Sequence, residues 1–328
     1  MHLLKFDWNP LTGIEILGNF KLHFYSVMWI VAFLTGWYIM KRIFTKEKVS
    51  LEYLDPLFIY TVLATMIGAR LGHVIFYQSE LITQDFWSIF LPIRTNPRFE
   101  FTGFQGLASH GAAIGIIVGM YLYRKKYNYK SLLWILDRVV ISVASGAVFI
   151  RIGNFINSEI IGKVTDSNFG VRFIQDYYYK SEIVRLTGIK NVQKAYYAVT
   201  DNPQFQNLLD AVPYRHPAQL YESFCYIFVF LILWFVYSKT NLKDRTGFLF
   251  GLFLILLWTI RFFVEYVKEP QGDEYINWFG FNTGQWLSIP FIIIGLYFTS
   301  SWISASLLFG KQSCMFAWAI SFLWGLML

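Results

Sequence analysis

One short run concentrates the groups able to do chemistry. Arg151-Ile-Gly-Asn-Phe-Ile-Asn157-Ser-Glu159-Ile-Ile-Gly162 sets a guanidinium, two carboxamides and a carboxylate around glycines. Arginine offers a planar fork of donors that matches a phosphate. Asn154 and Asn157 bring both donors and acceptors for hydroxyls. Gly153 and Gly162 let the backbone bend or a ligand approach closely. Such a set suits a phosphorylated polyol, the headgroup of a membrane lipid. The bland alternative is a capped helix end with its arginine reaching for the membrane surface. His110, followed by Gly-Ala-Ala-Ile-Gly, adds a neutral base. With the cations Arg151 and Arg261 at a similar depth, it would suit displacement of a phosphate leaving group.

These residues sit where charge is costly. Of the 328 residues, 55% are hydrophobic, 20% aromatic and only 15% charged, against about a quarter charged in an ordinary soluble domain. The apolar residues form seven blocks, at 22–43, 54–77, 104–123, 132–150, 217–237, 246–267 and 284–303. Each approaches the roughly 20 residues that a helix needs to cross a bilayer. The expected fold is therefore an all-α polytopic membrane protein of about seven transmembrane helices. A further apolar stretch, Cys314 to Leu328, is short for a span. The first residues, MHLLKFDWNP, lack the pattern of a cleavable signal peptide.

Placing the blocks in a membrane puts Arg70 and His73 in span 2, His110 in span 3, and Asp137, Arg138 and Arg151 in or beside span 4. Glu222 lies in span 5, and Arg261 and Glu265 lie in span 6. A charge at membrane depth costs a few kcal/mol at least and by default marks a use. Asp137 with Arg138 reads as a structural pair, and Glu222 as a partner for a neighbouring helix. Arg261 and Glu265, four apart, share a helix face and are placed to neutralise each other.

The net charge of +7 is unevenly distributed. Lys41, Arg42, Lys46 and Lys48 follow span 1; Arg124, Lys125, Lys126 and Lys130 follow span 3; Lys239, Lys243 and Arg245 follow span 5. The alternate loops are poorer in basic residues. The positive-inside rule then places the N-terminus outside, and the basic loops read as topology signals rather than a nucleic-acid surface. Residues 158–216, polar and rich in tyrosine, are too long for a helix–helix turn and are expected to form a small extracytoplasmic cap between spans 4 and 5. The domain reading is a transmembrane catalytic domain over 1–303, cap included, and a C-terminal extension, 304–328, of unknown role. Cys225 and Cys314 stand far apart in apolar sequence, so neither a disulfide nor a metal site is expected.

Along this set of residues the sequence resembles the bacterial phosphatidylglycerol–prolipoprotein diacylglyceryl transferases, from about residue 20 to 300. The run Arg151 to Gly162 carries the most specific match. His23-Phe-Tyr25, Gly68-Ala-Arg70-Leu-Gly72, His110-Gly111, Arg215-His-Pro-x-Gln-Leu-Tyr-Glu222, Arg261-x-x-x-Glu265 and Gly284-Gln-x-Leu-Ser-Ile-Pro290 support it in order. The resemblance implies a transferase of the bacterial cytoplasmic membrane, its site toward the outer face. It would move the diacylglyceryl group of phosphatidylglycerol onto the lipobox cysteine of a prolipoprotein signal peptide, leaving a thioether and glycerol 1-phosphate, with no cofactor. The nucleophile would then be the substrate's own thiol. By resemblance and position, His110 would favour the thiolate, while Arg151 and Arg261 hold the phosphate. Asn154, Asn157 and Glu159 would orient the headgroup, Tyr25 would line the pocket, Glu265 would fix Arg261, and Arg70 would take part in substrate binding. The chain departs from the family at Leu257, where an aromatic hydroxyl is common, and at Ala112, where Gly is usual. A transporter or flippase for an anionic lipid is the competing reading, since buried Arg, His and Glu would serve it equally. A membrane scaffold is a weaker one, since it gains nothing from buried charge.

Overall fold

The computed structural model describes residues 5–17, 20–91, 93–95, 98–101, 106–269 and 280–304. Most of this chain is helical. Seven long helices occur: α1 (Phe24–Lys46), α2 (Leu54–Tyr77), α3 (Ser109–Tyr127), α4 (Leu132–Ile156), α8 (Ala218–Lys239), α9 (Phe248–Val264) and α10 (Thr283–Ser304). Between α4 and α8 come a single turn at Ile174–Tyr177 and the short helices α5 (Lys180–Thr187), α6 (Val192–Asp201) and α7 (Gln206–Ala211). Each expected apolar block falls on one of the long helices. The third begins at Ser109 rather than at 104, and residues 102–105 lie outside the described ones. Four segments are long and apolar enough to cross a membrane: Phe24–Lys46, Leu51–Ile75, Leu132–Ile156 and Ala218–Lys239; Phe248–Val264 is a shorter apolar helix. The chain is thus a membrane protein. Its helices expose apolar stripes at helical spacing, such as Ile30, Leu34 and Tyr38 on α1 and Ile59, Leu63 and Ile67 on α2. In water such stripes would aggregate; in a bilayer they face lipid. Residues 305–328, which include most of the expected C-terminal extension, lie outside the described residues.

To the all-α expectation the structure adds three two-stranded sheets. β1 (Phe6–Trp8) runs parallel to β6 (Val171–Phe173), β2 (Gly13–Leu17) pairs antiparallel with β3 (Phe20–His23), and β4 (Ile93–Arg94) pairs antiparallel with β5 (Glu100–Phe101). They are too short to show as alternation in the sequence, and they occur in the connections and the N-terminal segment rather than in the spans.

The chain divides into two compact units. The first comprises residues 1–35, 143–232 and 254–293. Within it, the segment between α4 and α8 folds around its own core of Ile174, Tyr178, Ile183, Ala195, Tyr196, Val199, Leu209 and Val212. Two tyrosine hydroxyls close that core, Tyr196 donating to the Tyr178 carbonyl at 2.6 Å and Tyr178 to the Leu208 carbonyl at 2.9 Å. Asn191 caps α6 through the Lys194 amide, and Gly188 ends α5 in the left-handed conformation.

The second unit comprises residues 36–142, 233–253 and 294–328. Its tightest helix pair is α2 with α3, which meet through glycine. A side chain on Gly68 would lie 2.5 Å from the Gly111 carbonyl oxygen, and one on Gly72 would lie 2.6 Å from the Gly111 Cα. Backbones that close are the usual way for helices to associate where lipid supplies no hydrophobic drive. Asp137 on α4 is wholly buried and caps α9, accepting from the Gly247 amide at 2.6 Å and the Phe250 amide at 2.8 Å. Arg138 pairs with Glu47 through two bonds of 3.1 and 3.2 Å and also lies 3.7 Å from Asp137.

Candidate functional site

The first unit draws together three helix ends that are far apart in sequence. After α4 the chain turns sharply, with Ser158 (φ 56°) and Ile160 (φ 58°) both left-handed. A β-branched residue there is a real outlier, and such strain concentrates at functional positions. The chain then enters a backbone ladder. Gly162 N–H donates to the His216 carbonyl at 2.9 Å, His216 N–H to Lys163 at 3.0 Å, Lys163 N–H to Val267 at 2.8 Å and Glu269 N–H to Ile161 at 3.1 Å. The end of α4, the start of α8 and the end of α9 are thereby stitched together. Gly162 sits mid-ladder, where an added Cβ would fall 2.5 Å from the His216 carbonyl oxygen and 2.7 Å from that of Val267. Only glycine fits there, which accounts for its place in the motif.

Those three ends carry the charges. Arg151, buried on α4, forms an ion pair with Glu222 of α8 and donates to Asn154 Oδ1 at 3.3 Å. Glu159 Oε1 accepts from Asn157 Nδ2 at 3.1 Å, and Oε2 from Asn154 Nδ2 at 3.5 Å. The Glu159 main-chain carbonyl accepts from Gln219 Nε2 at 2.5 Å. Tyr25, in the first turn of α1, faces Arg151, Asn154 and Glu159. Its ring packs on Gly153, where a Cβ would come within 2.7 Å of it. Tyr25, Arg151, Asn154, Asn157 and Glu159 are therefore brought together.

Arg261 is buried on α9, its guanidinium 5.4 Å from the centre of the Trp258 ring, which stacks in turn on Phe291. Glu265 does not pair with it. The Glu265 carboxylate instead accepts from Lys268 Nζ at 3.3 Å, and Gly284 backs it so closely that a Cβ would meet the carboxyl carbon at 2.6 Å. The expectation that Glu265 fixes Arg261 is corrected accordingly. Lys268 lies three residues on, near enough to take the carboxylate, and Arg261 is left over the indole face. Burial pushes the Lys268 ammonium below the ordinary lysine range; Glu265 pulls it back, Arg261 pushes further.

Glu222 faces Arg151, Arg261 and Lys268 together. Arg151, Arg261 and Lys268 thus share one buried neighbourhood with the Glu222 and Glu265 carboxylates, and Glu159 adjoins it through Asn154. Among the described residues, Arg261 Nε and Glu222 Oε1 are buried without a hydrogen-bond partner. Buried cations with a donor left open are a place for an anion.

His110 and Arg70 belong to the second unit. His110 is buried in the first turn of α3, beside the glycine that contacts Gly72. Arg70 donates to three main-chain carbonyls, Ser88 at 2.8 Å, Ile89 at 3.3 Å and Gly106 at 3.5 Å. Those bonds fasten the connection between α2 and α3. Among the described residues no group of three or more His, Cys, Asp or Glu could hold a metal ion.

The profile of the prolipoprotein diacylglyceryl transferase family matches residues 12–301, the stretch that contains every residue above. The chain belongs to this family. It is 36% identical over 300 residues to the phosphatidylglycerol–prolipoprotein diacylglyceryl transferase of Bacteroides fragilis, covering 90% of this chain and 95% of the relative. The proteins of the same name from Tolumonas auensis (35% identical, 88% and 94% covered) and Chloroherpeton thalassium (32%, 88% and 91%) are similar to it over the same extent.

Lys268 and the buried Tyr226 hydroxyl of this diacylglyceryl transferase family member were not foreseen at the site. Gln219 and Glu222 stand in a motif that carries the resemblance, but Glu222 reads in sequence as a structural partner and Gln219 is given no role there. Spacing held the signal. Gln219 and Glu222 are three apart on α8, and Lys268 follows Glu265 by three and Arg261 by seven, so each shares a face with a group already suspected.

Proposed function

We propose that this chain transfers the diacylglyceryl group of phosphatidylglycerol to the lipobox cysteine thiol of prolipoproteins, forming a thioether and releasing glycerol 1-phosphate. Family membership supports the reaction class. The observation that carries it to this chain is the buried grouping of Arg151, Arg261 and Lys268, with Arg261 Nε open among the described residues. In the step, the thiol gives its proton to His110, and the thiolate attacks the glycerol carbon bearing the phosphate ester. The C–S bond forms as the C–O bond breaks, and the electron pair leaves on the phosphate oxygen. Arg151 and Arg261 offset the charge gathering there, the kind of stabilisation that contributes most in a dry site. A free thiol has a pKa of about 8.5, so a base or a positive field is needed for attack near neutrality. Asn154, Asn157, Glu159 and Tyr25 shape the headgroup side. Arg70 acts through the connection it fastens.

The same reading places seven spans in the bacterial cytoplasmic membrane, with the N-terminus and the site toward the outer face. The basic residues after α1, α3 and α8 support that orientation, and the segment between α4 and α8 then forms the outer cap.

The test uses purified protein in nanodiscs with phosphatidylglycerol and a lipobox peptide. The expected result is a peptide mass gain of one diacylglyceryl group, with equimolar glycerol phosphate, abolished when the peptide cysteine is serine. A folded preparation that transfers nothing overturns the reading and makes lipid scrambling the next assay.

A further inference from the structure

Two carbonyl-type oxygens on one face of α8 are buried with nothing to accept from. Gln219 is 0% exposed and Glu222 is 1% exposed. Gln219 Oε1 and Glu222 Oε1 both lack a hydrogen-bond partner among the described residues. Their orientations are set by their other halves. Gln219 Nε2 is committed to the Glu159 carbonyl, so its oxygen must face away from it. Glu222 Oε2 is committed to Arg151, which leaves Oε1 open, and the carboxylate as a whole lies near Arg261 and Lys268. Buried acceptors left open are costly, and native proteins rarely keep two together without a donor that arrives.

The arriving donor has a definable chemistry. It must offer hydrogens to two acceptors while lying beside Arg261, whose Nε is also buried and open. An ammonium would satisfy Glu222, but it would lie beside the cationic groups of Arg151, Arg261 and Lys268. A neutral hydroxyl donates without that penalty, and a phosphate on the same molecule accepts from the guanidinium.

We propose that Gln219 and Glu222 form a hydroxyl-reading edge that selects lipids with a neutral polyol phosphate headgroup over amine or alkyl ones. They are specificity-determining residues, separate from Asn154, Asn157 and Glu159 on the strained turn. The inference rests on the transferase reading above and adds to it what the site rejects.

The experiment compares donors of equal acyl composition in nanodiscs, each with the lipobox peptide. These are phosphatidylglycerol, phosphatidylpropanol (the same phosphate ester without free hydroxyls) and phosphatidylethanolamine. Wild-type kcat/KM is expected to fall on the order of 10²-fold from phosphatidylglycerol to phosphatidylpropanol, because buried acceptors left without their hydroxyls keep their desolvation penalty. In Gln219→Met that ratio is expected to shrink to about tenfold or less, mostly by loss on phosphatidylglycerol. Wild type using the two donors equally, or Gln219→Met lowering both by one factor, overturns the proposal while leaving the transferase reading intact. The wild-type comparison decides even where Gln219→Met does not fold. Transfer from no donor by folded wild type overturns the transferase reading itself.

Discussion

Two clusters of buried charge occupy this chain, and they differ in how completely they are satisfied. Around Asp137, both carboxylate oxygens accept from backbone amides at the start of α9, and Arg138 is gripped by the Glu47 carboxylate through two bonds, with the buried Tyr237 hydroxyl beside them left over. Around Arg151, Arg261 rests on an indole instead of an anion, and among the described residues polar atoms on the charged groups Arg261 and Glu222, and on Gln219, have no partner. The charged groups of the first cluster are satisfied within the fold, whereas those of the second keep donors and acceptors open.

The sharpest way to break the comparison is to remove one group from each cluster. Arg261→Ala is expected to lower kcat by about 10²–10³-fold, the usual cost of losing one preorganised donor to a developing anion. Its Tm should stay at the wild-type value or rise, because no ion pair is broken. Asp137→Ala is expected to do the reverse. It leaves Arg138 short of a neighbour and two amides uncapped, at a cost of about 3–5 kcal/mol in stability. Activity per folded molecule should be retained. Thermal unfolding in detergent together with single-turnover transfer separates the two cases, and an Asp137→Ala protein that is folded yet inactive would remove the distinction.

A smaller effect sharpens the picture at the ladder. Burial holds the His216 imidazole below its ordinary range, and its Nδ1 lies 3.2 Å from the Tyr221 hydroxyl. The unfolded chain thus binds more protons as pH drops below about 6.5, so stability is present above that value and falls as pH descends toward the folded pKa. Tm should drop between pH 7 and 5.5 on this account. His216→Gln should flatten that part of the profile, and an unchanged slope in the variant would exclude His216 as its source.

Much of this was legible in the residues. Apolar blocks gave all seven long helices, because a helix in lipid needs little beyond length and hydropathy. The run from Arg151 to Gly162 marked out where the polar side chains gather, with Arg151, Asn154, Asn157 and Glu159 joined at the end of α4. What stayed hidden was pairing. Arg261 and Glu265 have the spacing of an i,i+4 pair, yet Lys268 takes the carboxylate, and a sequence does not say which of two cations on one face wins. Glu222 as the partner of Arg151 was equally out of reach, since 71 positions separate them and only the ladder at Gly162 brings their helices together. The short strands were invisible because two or three residues carry no periodicity.

The ladder has a consequence for how the protein is made. It joins residues near 162, 216 and 268, so it cannot close until the ribosome has passed Glu269. A nascent chain that has inserted α8 already holds Arg151 and Glu222, which together carry no net charge. Arg261 and Lys268 join that pair only later. The buried grouping of cations is therefore complete only when the sixth long helix is in place.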